Sequence, residues 1–332
     1  HLLSRRQRQM CIRDSSWNIC KSQAEKGFIS VQFSCMIVDG KQGSLQKEGT
    51  KKSVKICKRC RSFRKGCNMK ILIKNGHVID PDTKLDQVAD VLLEDDKIQE
   101  VKENIKEEAD RVIDARGCYV MPGLIDMHVH LRDPGLTHKE DVFTGSKAAA
   151  RGGVTTLVAM PNTKPVIDNP ERLSYVKNKA TQCNLVNVLQ AGAITQGMKG
   201  EELSDIEGMV QAGAPAISED GKSVMNAQIY KEAMQIAARL NIPVLAHCED
   251  IHMVNGGCMN EDTNSEKFGL PGICNAVEDT IVARDILIAK DTGCHLHLCH
   301  CSTKDSEVML RLAKEDGISV SVSYTHLTLP TT

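Results

Sequence analysis

From residue 117 onward, the sequence alternates between short apolar runs and stretches in which apolar residues recur at helical spacing. Seven apolar runs of strand length occur in the order CYVMPGLIDMHVH, TTLVAM, NLVNVLQAG, APAIS, IPVLAH, CHLHLCH and ISVSV. Repeated strand-then-helix units are typical of α/β proteins with a parallel sheet. Short buried strands in this number favour a (β/α)8 barrel of the TIM type, incomplete at its carboxyl end, over an open sheet.

The segment before the barrel has a different pattern. Residues 69–116 contain the strand-like runs KILIKNGHVID and QVADVLLEDDKIQEV, with turn residues at Asn75-Gly76 and Asp80-Pro81. This pattern predicts a small β-unit ahead of the main domain. The predicted domains are therefore a β portion over residues 69–116 and a partial barrel over residues 117–322.

Both ends of the sequence differ from the middle. Residues 1–68 show no clear helical or strand period, which indicates a disordered or non-native leader. Residues 323–332 resemble translated read-through sequence and are predicted to be a foreign tail. Cys57 and Cys60 form a C-x-x-C among basic residues, a pattern that could hold zinc or contact nucleic acid. The leader interpretation is preferred, because a structural zinc site needs four ligands and no second cysteine pair follows at usable spacing.

The composition argues against several classes of protein. Of the 332 residues 41% are hydrophobic, and the formal net charge of −1 gives no overall attraction to nucleic acid. No apolar stretch approaches the roughly 18 residues of a membrane span, and the start lacks the order of a secretory signal. Fourteen cysteines without regular spacing indicate reduced thiols. We expect a globular cytoplasmic protein that binds neither nucleic acid nor membrane.

The first predicted barrel strand ends in two histidines, within MPGLIDMHVHLRDPG. Residues two apart in a strand point to the same side, so His128 and His130 should project together. In barrels of this kind the carboxyl ends of the strands carry the chemistry. The pair therefore indicates half of a metal site.

Candidate partners for this pair follow later strands. His247 lies at the end of the fifth strand and His300 at the end of the sixth, while Asp220 lies in the loop after the fourth and can bridge two metal ions. His295 and His297 form a rival pair within the sixth strand. Strict alternation places the rival pair on the opposite face from His300, so it is predicted to pack against the helical layer.

Five motifs occur in a fixed order: VMPGLIDMHVHLRDPG, GGVTTLVAMPNTKP, ISEDGKSVM, VLAHCED and HLHLCHCSTKDS. From about Met69 to Val322 the chain resembles the dihydroorotases of the amidohydrolase superfamily, in the branch whose metals are bridged by an aspartate. The resemblance implies a distorted (β/α)8 barrel with a small β-sandwich portion. It also implies one or two Zn²⁺ ions held by His128, His130, Asp220, His247 and His300.

The reaction implied by the resemblance is the reversible cyclisation of N-carbamoyl-L-aspartate to L-dihydroorotate in pyrimidine biosynthesis. The family's catalytic aspartate, a general base, lies at the end of an eighth strand beyond the end of this sequence. No catalytic residue is therefore assigned, and the chain alone is expected to be an inactive fragment. Its expected partners are a small-molecule substrate and either a second copy of the chain or another enzyme of the same pathway.

Substrate choice is predicted to depend on Arg132 and Asn162. A guanidinium suits a carboxylate, and a carboxamide can both donate and accept hydrogen bonds. The resemblance assigns both residues, together with His130, to substrate binding. The alternatives are a surface ion pair of Arg132 with Asp133 or Glu140, and an ordinary turn role for Asn162.

Two further polar residues are given no direct role, and two other functions remain open. Lys222 is interpreted as a solvated loop residue rather than a carboxylated bridging ligand, and Asp126 as a supporting residue rather than a ligand. One alternative function is a cyclic amidase acting on hydantoins, dihydropyrimidines or allantoin. The other is a non-catalytic dihydroorotase-like scaffold. Arg132 and Asn162 argue against the first alternative, and the complete ligand set argues against the second.

Overall fold

The computed structural model of the chain describes residues 69–95 and 97–324, together with the backbone of Cys35–Asp39. The C-x-x-C segment and residues 325–332 of the expected tail lie outside the described residues. The chain divides into two compact units between Leu124 and Ile125. Within the described part of the chain, no helix is long and apolar enough to cross a membrane.

The smaller unit contains the strands β1 (Cys35–Asp39), β2 (Lys70–Asp80), β3 (Leu85–Glu94), β4 (Lys97–Lys102), β5 (Arg111–Asp114) and β6 (Cys118–Pro122). They form one sheet in the order β1-β6-β2-β3-β4, with β5 beside β2. Its core combines apolar residues of β2 and β3 with Val120 of β6. Gly76 permits this packing, because a Cβ at that position would lie 2.4 Å from Val120 Cγ2.

The limits of this unit differ from the predicted boundaries. The sequence assigned Cys118–Pro122 to the first barrel strand, but β6 pairs in parallel with β2, with Val120 opposite Val78. Val120 is 1% exposed, and its burial in this sheet stabilises Cys118–Pro122 as part of the smaller unit. Cys35–Asp39 lies inside the predicted leader, yet it pairs antiparallel with β6.

The larger unit alternates strands and helices. Its strands are β7 (Leu124–Val129), β8 (Val154–Ala159), β9 (Asn187–Gln190), β10 (Gly192–Ala193), β11 (Ile217–Ser218), β12 (Val244–Ala246), β13 (Met259–Asn260), β14 (Gly272–Ile273), β15 (Leu296–Cys301) and β16 (Val320–Tyr324). Its helices are α1 (Val142–Gly152), α2 (Pro170–Cys183), α3 (Ile206–Gln211), α4 (Ala227–Leu240), α5 (Thr263–Phe268), α6 (Ala276–Thr292) and α7 (Lys304–Glu315).

The strands of this unit form the wall of a partial (β/α)8 barrel. One sheet contains β7, β8 and β9, and a second has the order β10-β11-β12-β15-β16. Only Ala191 separates β9 from β10, and its N–H donates to Ala159 O at 3.0 Å. Strands β8 and β9 pair in parallel, and so do neighbouring strands of the second sheet. Helices connect these paired strands along the chain, as predicted. Ser323 and Tyr324, inside the predicted tail, complete β16.

Alternate residues of the wall face two apolar layers. An interior cluster combines residues of several strands: Val158, Met160, Ala191, Ala216, Leu245 and Cys299. On the other face, Leu296 and Leu298 of β15 pack with apolar residues of α4, α6 and α7. Burial of both faces explains why the barrel strands are almost continuously apolar.

The sixth barrel strand corrects one prediction. His297 lies on the same face of β15 as Cys299, which belongs to the interior cluster. It is 1% exposed, and its Nδ1 lies 2.9 Å from Ser321 Oγ on β16. His295 Nε2 lies 2.9 Å from the same hydroxyl. For His297 the prediction of packing against the helical layer was wrong, because the leucines of β15 occupy that face.

The reason given for choosing His300 was also wrong. By strict alternation His300 would share the helix-facing side of Leu298. Instead, the pairing of β15 with β16 shifts register between Leu298 and Cys301, and His300 adopts a left-handed backbone with φ 38°. This local break turns the imidazole of His300 toward Asp220.

Candidate metal centre and substrate site

Four imidazoles surround one carboxylate. Asp220 Oδ1 lies 3.0 Å from His128 Nε2, 3.7 Å from His247 Nδ1 and 3.6 Å from His300 Nε2. The other oxygen, Asp220 Oδ2, lies 3.6 Å from His130 Nε2. Asp220 is 3% exposed. The structure thus brings the five predicted ligands together around a buried carboxylate.

These residues form two groups that could each hold a metal ion. One group is His128, His130 and Asp220, and the other is Asp220, His247 and His300. Within each group the candidate ligand atoms lie within 4.8 Å of one another. Because Asp220 belongs to both groups and has two oxygens, it can bridge two ions.

The electrostatics of the site suit a cation. Burial alone would raise the pKa of Asp220, but hydrogen bonds from His128, His247 and His300 outweigh it and hold that pKa well below its usual range. Burial lowers the pKa of His130, and the Asp220 carboxylate offsets this only in part. For His247, burial also lowers the pKa, but Asp220 outweighs it and the pKa is raised.

The donor set fits a divalent metal such as zinc. Imidazole nitrogens and carboxylate oxygens are common ligands of that ion. His247 Nδ1 and His300 Nε2 lie 3.0 Å apart beside the same carboxylate. Without a metal, protons must mediate these contacts, and a metal ion would replace those protons.

Short strands and their following loops position Asp220. Asp220 N donates to Ser218 Oγ at 3.1 Å, and Ser218 Oγ donates to Leu245 O on the neighbouring strand at 2.7 Å. The adjacent Glu219 is 3% exposed and accepts the backbone N–H groups of Ile194 and Thr195, each at 3.1 Å. Burial raises the pKa of Glu219, while its hydrogen bonds with Thr195 lower it, and the net shift is upward.

Asn162 contacts two candidate ligands of the His128–His130–Asp220 group. Its Nδ2 donates to Asp220 Oδ2 at 3.0 Å and to Asp220 O at 3.3 Å. Its Oδ1 lies 3.1 Å from His130 Nδ1. Asn162 therefore orients His130 and the shared carboxylate of Asp220, a role that the sequence analysis did not foresee because the contact to Asp220 spans 58 residues.

Arg132 follows the histidine pair in a left-handed backbone with φ 57°. The buried Asp133, one of the partners in the surface-pair alternative, instead contacts Lys179 Nζ at 2.8 Å and Tyr175 OH at 3.0 Å. The loop then passes Gly135, where a Cβ would lie 1.7 Å from Lys164 O. Arg132 is close enough to His130 that its charge contributes to lowering the pKa of that imidazole.

Other polar residues lie outside both metal groups. Lys222 is exposed, and its Nζ donates to Met198 O at 3.4 Å. Asp126 is exposed and accepts the N–H of His128 at 3.1 Å. Ser223, which the sequence analysis missed, donates to His247 O at 2.6 Å and accepts the N–H of Glu249 at 3.0 Å. The sequence signal that could have identified Ser223 was its position three residues after Asp220.

Known proteins resemble this chain over most of its length. A family model described as Dihydro-orotase-like matches residues 117–306. The dihydroorotase of Geotalea daltonii is 48% identical over 254 residues, which is 76% of this chain and 60% of that protein. The dihydroorotase of Ruminiclostridium cellulolyticum is 46% identical over 253 residues, 76% of this chain and 59% of that protein. The chain thus spans about 60% of the length of these relatives.

Solved structures share the fold. An L-hydantoinase (dihydropyrimidinase) from Arthrobacter aurescens superimposes with a TM-score of 0.65 at 25% identity, covering 76% of this chain and 58% of that one. A D-hydantoinase (dihydropyrimidinase) from Thermus sp. gives a TM-score of 0.60 at 26% identity, covering 76% and 57%. Together with the matched motifs and the partial barrel, these similarities show that the chain belongs to the dihydroorotase-like family.

Proposed function

We propose that this chain carries the metal centre of a zinc-dependent dihydroorotase, which reversibly cyclises N-carbamoyl-L-aspartate to L-dihydroorotate in pyrimidine biosynthesis. The observation that carries the proposal is the convergence of four histidines on Asp220, shared between two potential metal groups. The relatives named dihydroorotase support the choice of reaction.

The proposed metal ligands are those of the two groups, with Asp220 as the bridge. Bound zinc in such a site lowers the pKa of a coordinated water and polarises the carbonyl under attack. The chain's own residues supply orientation. Asn162 holds Asp220 and His130 in register, and Ser223 holds the backbone of His247.

The proposed substrate carries a carboxylate, for which Arg132 is the primary partner. Its guanidinium offers paired donors to a planar anion. The contacts of Asp133 with Lys179 and Tyr175 hold the residue next to Arg132 and occupy one of the carboxylates that could otherwise pair with Arg132. Asn162 and His130 complete the proposed substrate-binding set.

A cyclic amidase of the hydantoinase type is the second candidate, because the solved structures that resemble this chain bear that name. Hydantoin itself lacks the ring carboxylate that Arg132 would bind. We favour dihydroorotate, since the relatives with the higher sequence identity are named dihydroorotase.

We further propose that the protein works in the cytoplasm on this small molecule. A second copy of the chain or another enzyme of the pathway is the proposed partner. Size-exclusion chromatography with light scattering, alone and with candidate enzymes, tests the partner; a monomer in every mixture would contradict it.

The metal proposal is tested by zinc titration of the purified chain against a chromophoric chelator. Asp220→Asn should strongly lower zinc affinity, because it removes a charged ligand from both groups. The loss should exceed the roughly 10- to 100-fold that is typical when a residue that only orients a metal ligand is changed. Asp291→Asn is the matched control, since that exposed carboxylate pairs only with Lys231 in the described contacts. Equal zinc binding by wild type and Asp220→Asn would contradict the assignment.

The substrate proposal is tested by calorimetric binding of dihydroorotate, hydantoin and dihydrouracil to the zinc-loaded chain. Dihydroorotate should bind most tightly, and Arg132→Met should weaken dihydroorotate binding without changing hydantoin binding. Preference for hydantoin in the wild-type chain would favour the second candidate.

A further inference from the structure

The backbone of His300 is held in an unfavourable conformation. A left-handed φ of 38° is uncommon for a residue with a Cβ and persists only where the surroundings impose it. The pairing of β15 with β16 shifts register between Leu298 and Cys301, a span that includes His300. The N–H of His300 donates to Ser323 Oγ at 3.1 Å. Cys301 resumes the pairing with Tyr324 on β16, and further contacts act on the residues just after His300.

Those contacts converge on Glu278, in the first turn of α6. Its carboxylate accepts the N–H of Ser302 at 2.9 Å and of Thr303 at 3.1 Å. It also accepts the hydroxyl of Ser302 at 2.6 Å, and it lies 3.2 Å from Thr303 Oγ1 and 3.3 Å from Cys301 Sγ. One side chain thus binds all three residues that follow His300.

The same turn of α6 also holds the segment after His247. The N–H of Asp250 donates to Val277 O at 2.9 Å. Asp279, next to Glu278, accepts a hydrogen bond from Ser306 Oγ at 2.6 Å and one from the hydroxyl of Thr303. The start of α6 therefore connects the loops that follow both histidines of the Asp220–His247–His300 group.

Capping of α7 does not account for these contacts. Thr303 caps α7 with its own side chain, which accepts the N–H of Ser306 at 3.3 Å. Glu278 instead binds the backbone N–H groups of Ser302 and Thr303, which connect His300 to α7. Burial would raise the pKa of Glu278, but the hydrogen bonds from Ser302 and Thr303 outweigh it, so the carboxylate is held in its charged form.

We propose that Glu278 is a positioning residue, which holds His300 in its left-handed conformation and thereby sets the metal affinity of the Asp220–His247–His300 group. This inference rests on the proposed metal centre. It predicts that Glu278 acts through His300 and leaves the His128–His130–Asp220 group unchanged.

The test measures zinc affinity by chelator competition on the full chain. Glu278→Ala should weaken zinc binding by about 10- to 100-fold, the range found for residues that orient metal ligands. Glu278→Gln should lose less, because the carboxamide oxygen still accepts one N–H. Glu307→Gln is the charge-matched control, since Glu307 is exposed and pairs with Arg311 on α7.

Two backgrounds separate positioning from a general loss of stability. In His128→Ala, which keeps the Asp220–His247–His300 group complete, Glu278→Ala should still weaken zinc binding. In His300→Ala, the same change should have no further effect, because the residue through which Glu278 acts is absent. Thermal unfolding of each metal-free variant verifies that the chain is folded.

The outcomes distinguish this inference from the proposed function. A wild-type chain that binds no zinc would overturn both. Zinc binding by the wild type with unchanged affinity in folded Glu278→Ala would overturn the positioning role alone. Equal losses in the His300→Ala and His128→Ala backgrounds would also overturn it, because Glu278 would then act on the whole barrel.

Discussion

Two strand ends of the barrel supply histidines to the same carboxylate in different ways. At the end of β7, His128 and His130 lie two residues apart, and Asp126 accepts the N–H of His128. At the end of β15, His300 reaches Asp220 only through a register shift and a left-handed backbone. The first arrangement is local in sequence, whereas the second depends on distant residues.

The difference shows where supporting residues are needed. A ligand placed by regular strand alternation takes its direction from the strand itself, and Asn162 then adds one contact to His130. A ligand placed by a break in the strand requires contacts that stabilise the break, here with Ser323 on β16. The segment after His300 additionally depends on Glu278 on α6. The following variants test this contrast in order of decreasing expected effect.

Gly135→Ala tests the loop that follows the β7 end. It should lower the free energy of unfolding by roughly 1–3 kcal/mol and weaken dihydroorotate binding, because φ 84° is strained for alanine and its Cβ would meet Lys164 O. Gly200→Ala is the control: its φ is 76°, but no atom lies within 4 Å of the added Cβ. Denaturant unfolding measures both. Equal losses would show that backbone strain alone, and not the Lys164 contact, limits this position.

Ser323→Ala tests the contact of β16 with His300. Loss of the hydrogen bond from His300 N should cost about 0.5–1.5 kcal/mol of unfolding free energy and should weaken zinc binding. Ser319→Ala is the control, since Ser319 lies just before the same strand and its Oγ contacts His295 rather than His300. Calorimetric unfolding and chelator competition measure the two effects. A larger loss of zinc affinity in Ser319→Ala than in Ser323→Ala would contradict the supporting role of Ser323.

The pH dependence of stability tests Glu278 separately from metal. Its pKa is lowered in the folded chain from 4.5, so its contribution to stability is fully present above that value and is lost as the pH falls through the folded pKa. In metal-free protein, Glu278→Gln should therefore show a shallower loss of stability on acidification than the wild type. Urea unfolding between neutral pH and about pH 3 measures this small effect. Superimposable profiles would contradict a stabilising charged form of Glu278.

Much of the site could be predicted from local pattern. The alternation of apolar runs and helical stretches indicated the barrel, and the strand ends indicated Asp220 and the four histidines that surround it. The choice of His300 over His295 and His297 reached the residue found in the site, but by a wrong argument. Alternation describes a regular strand, and the register shift in β15 is not visible in the pattern of apolar residues.

The supporting contacts could not be predicted in this way. Asn162 contacts Asp220 across 58 residues, and Glu278 contacts Ser302 across 24. A hydrogen bond of this kind depends on where two loops meet after the strands have paired and the helices have packed. Neither residue carries a local periodic signal that distinguishes it from other polar loop or helix residues.

The sequence by itself determined the alternation of barrel strands and helices, the β portion before the barrel, and the chemical types of the candidate ligands. Periodicity and side-chain chemistry are properties of neighbouring residues and can be read directly. The tertiary structure decided that Cys118–Pro122 joins the small sheet, that His297 lies on the interior face, and that His300 turns toward Asp220. These outcomes depend on burial and hydrogen bonding between distant segments, which exist only once the chain has folded.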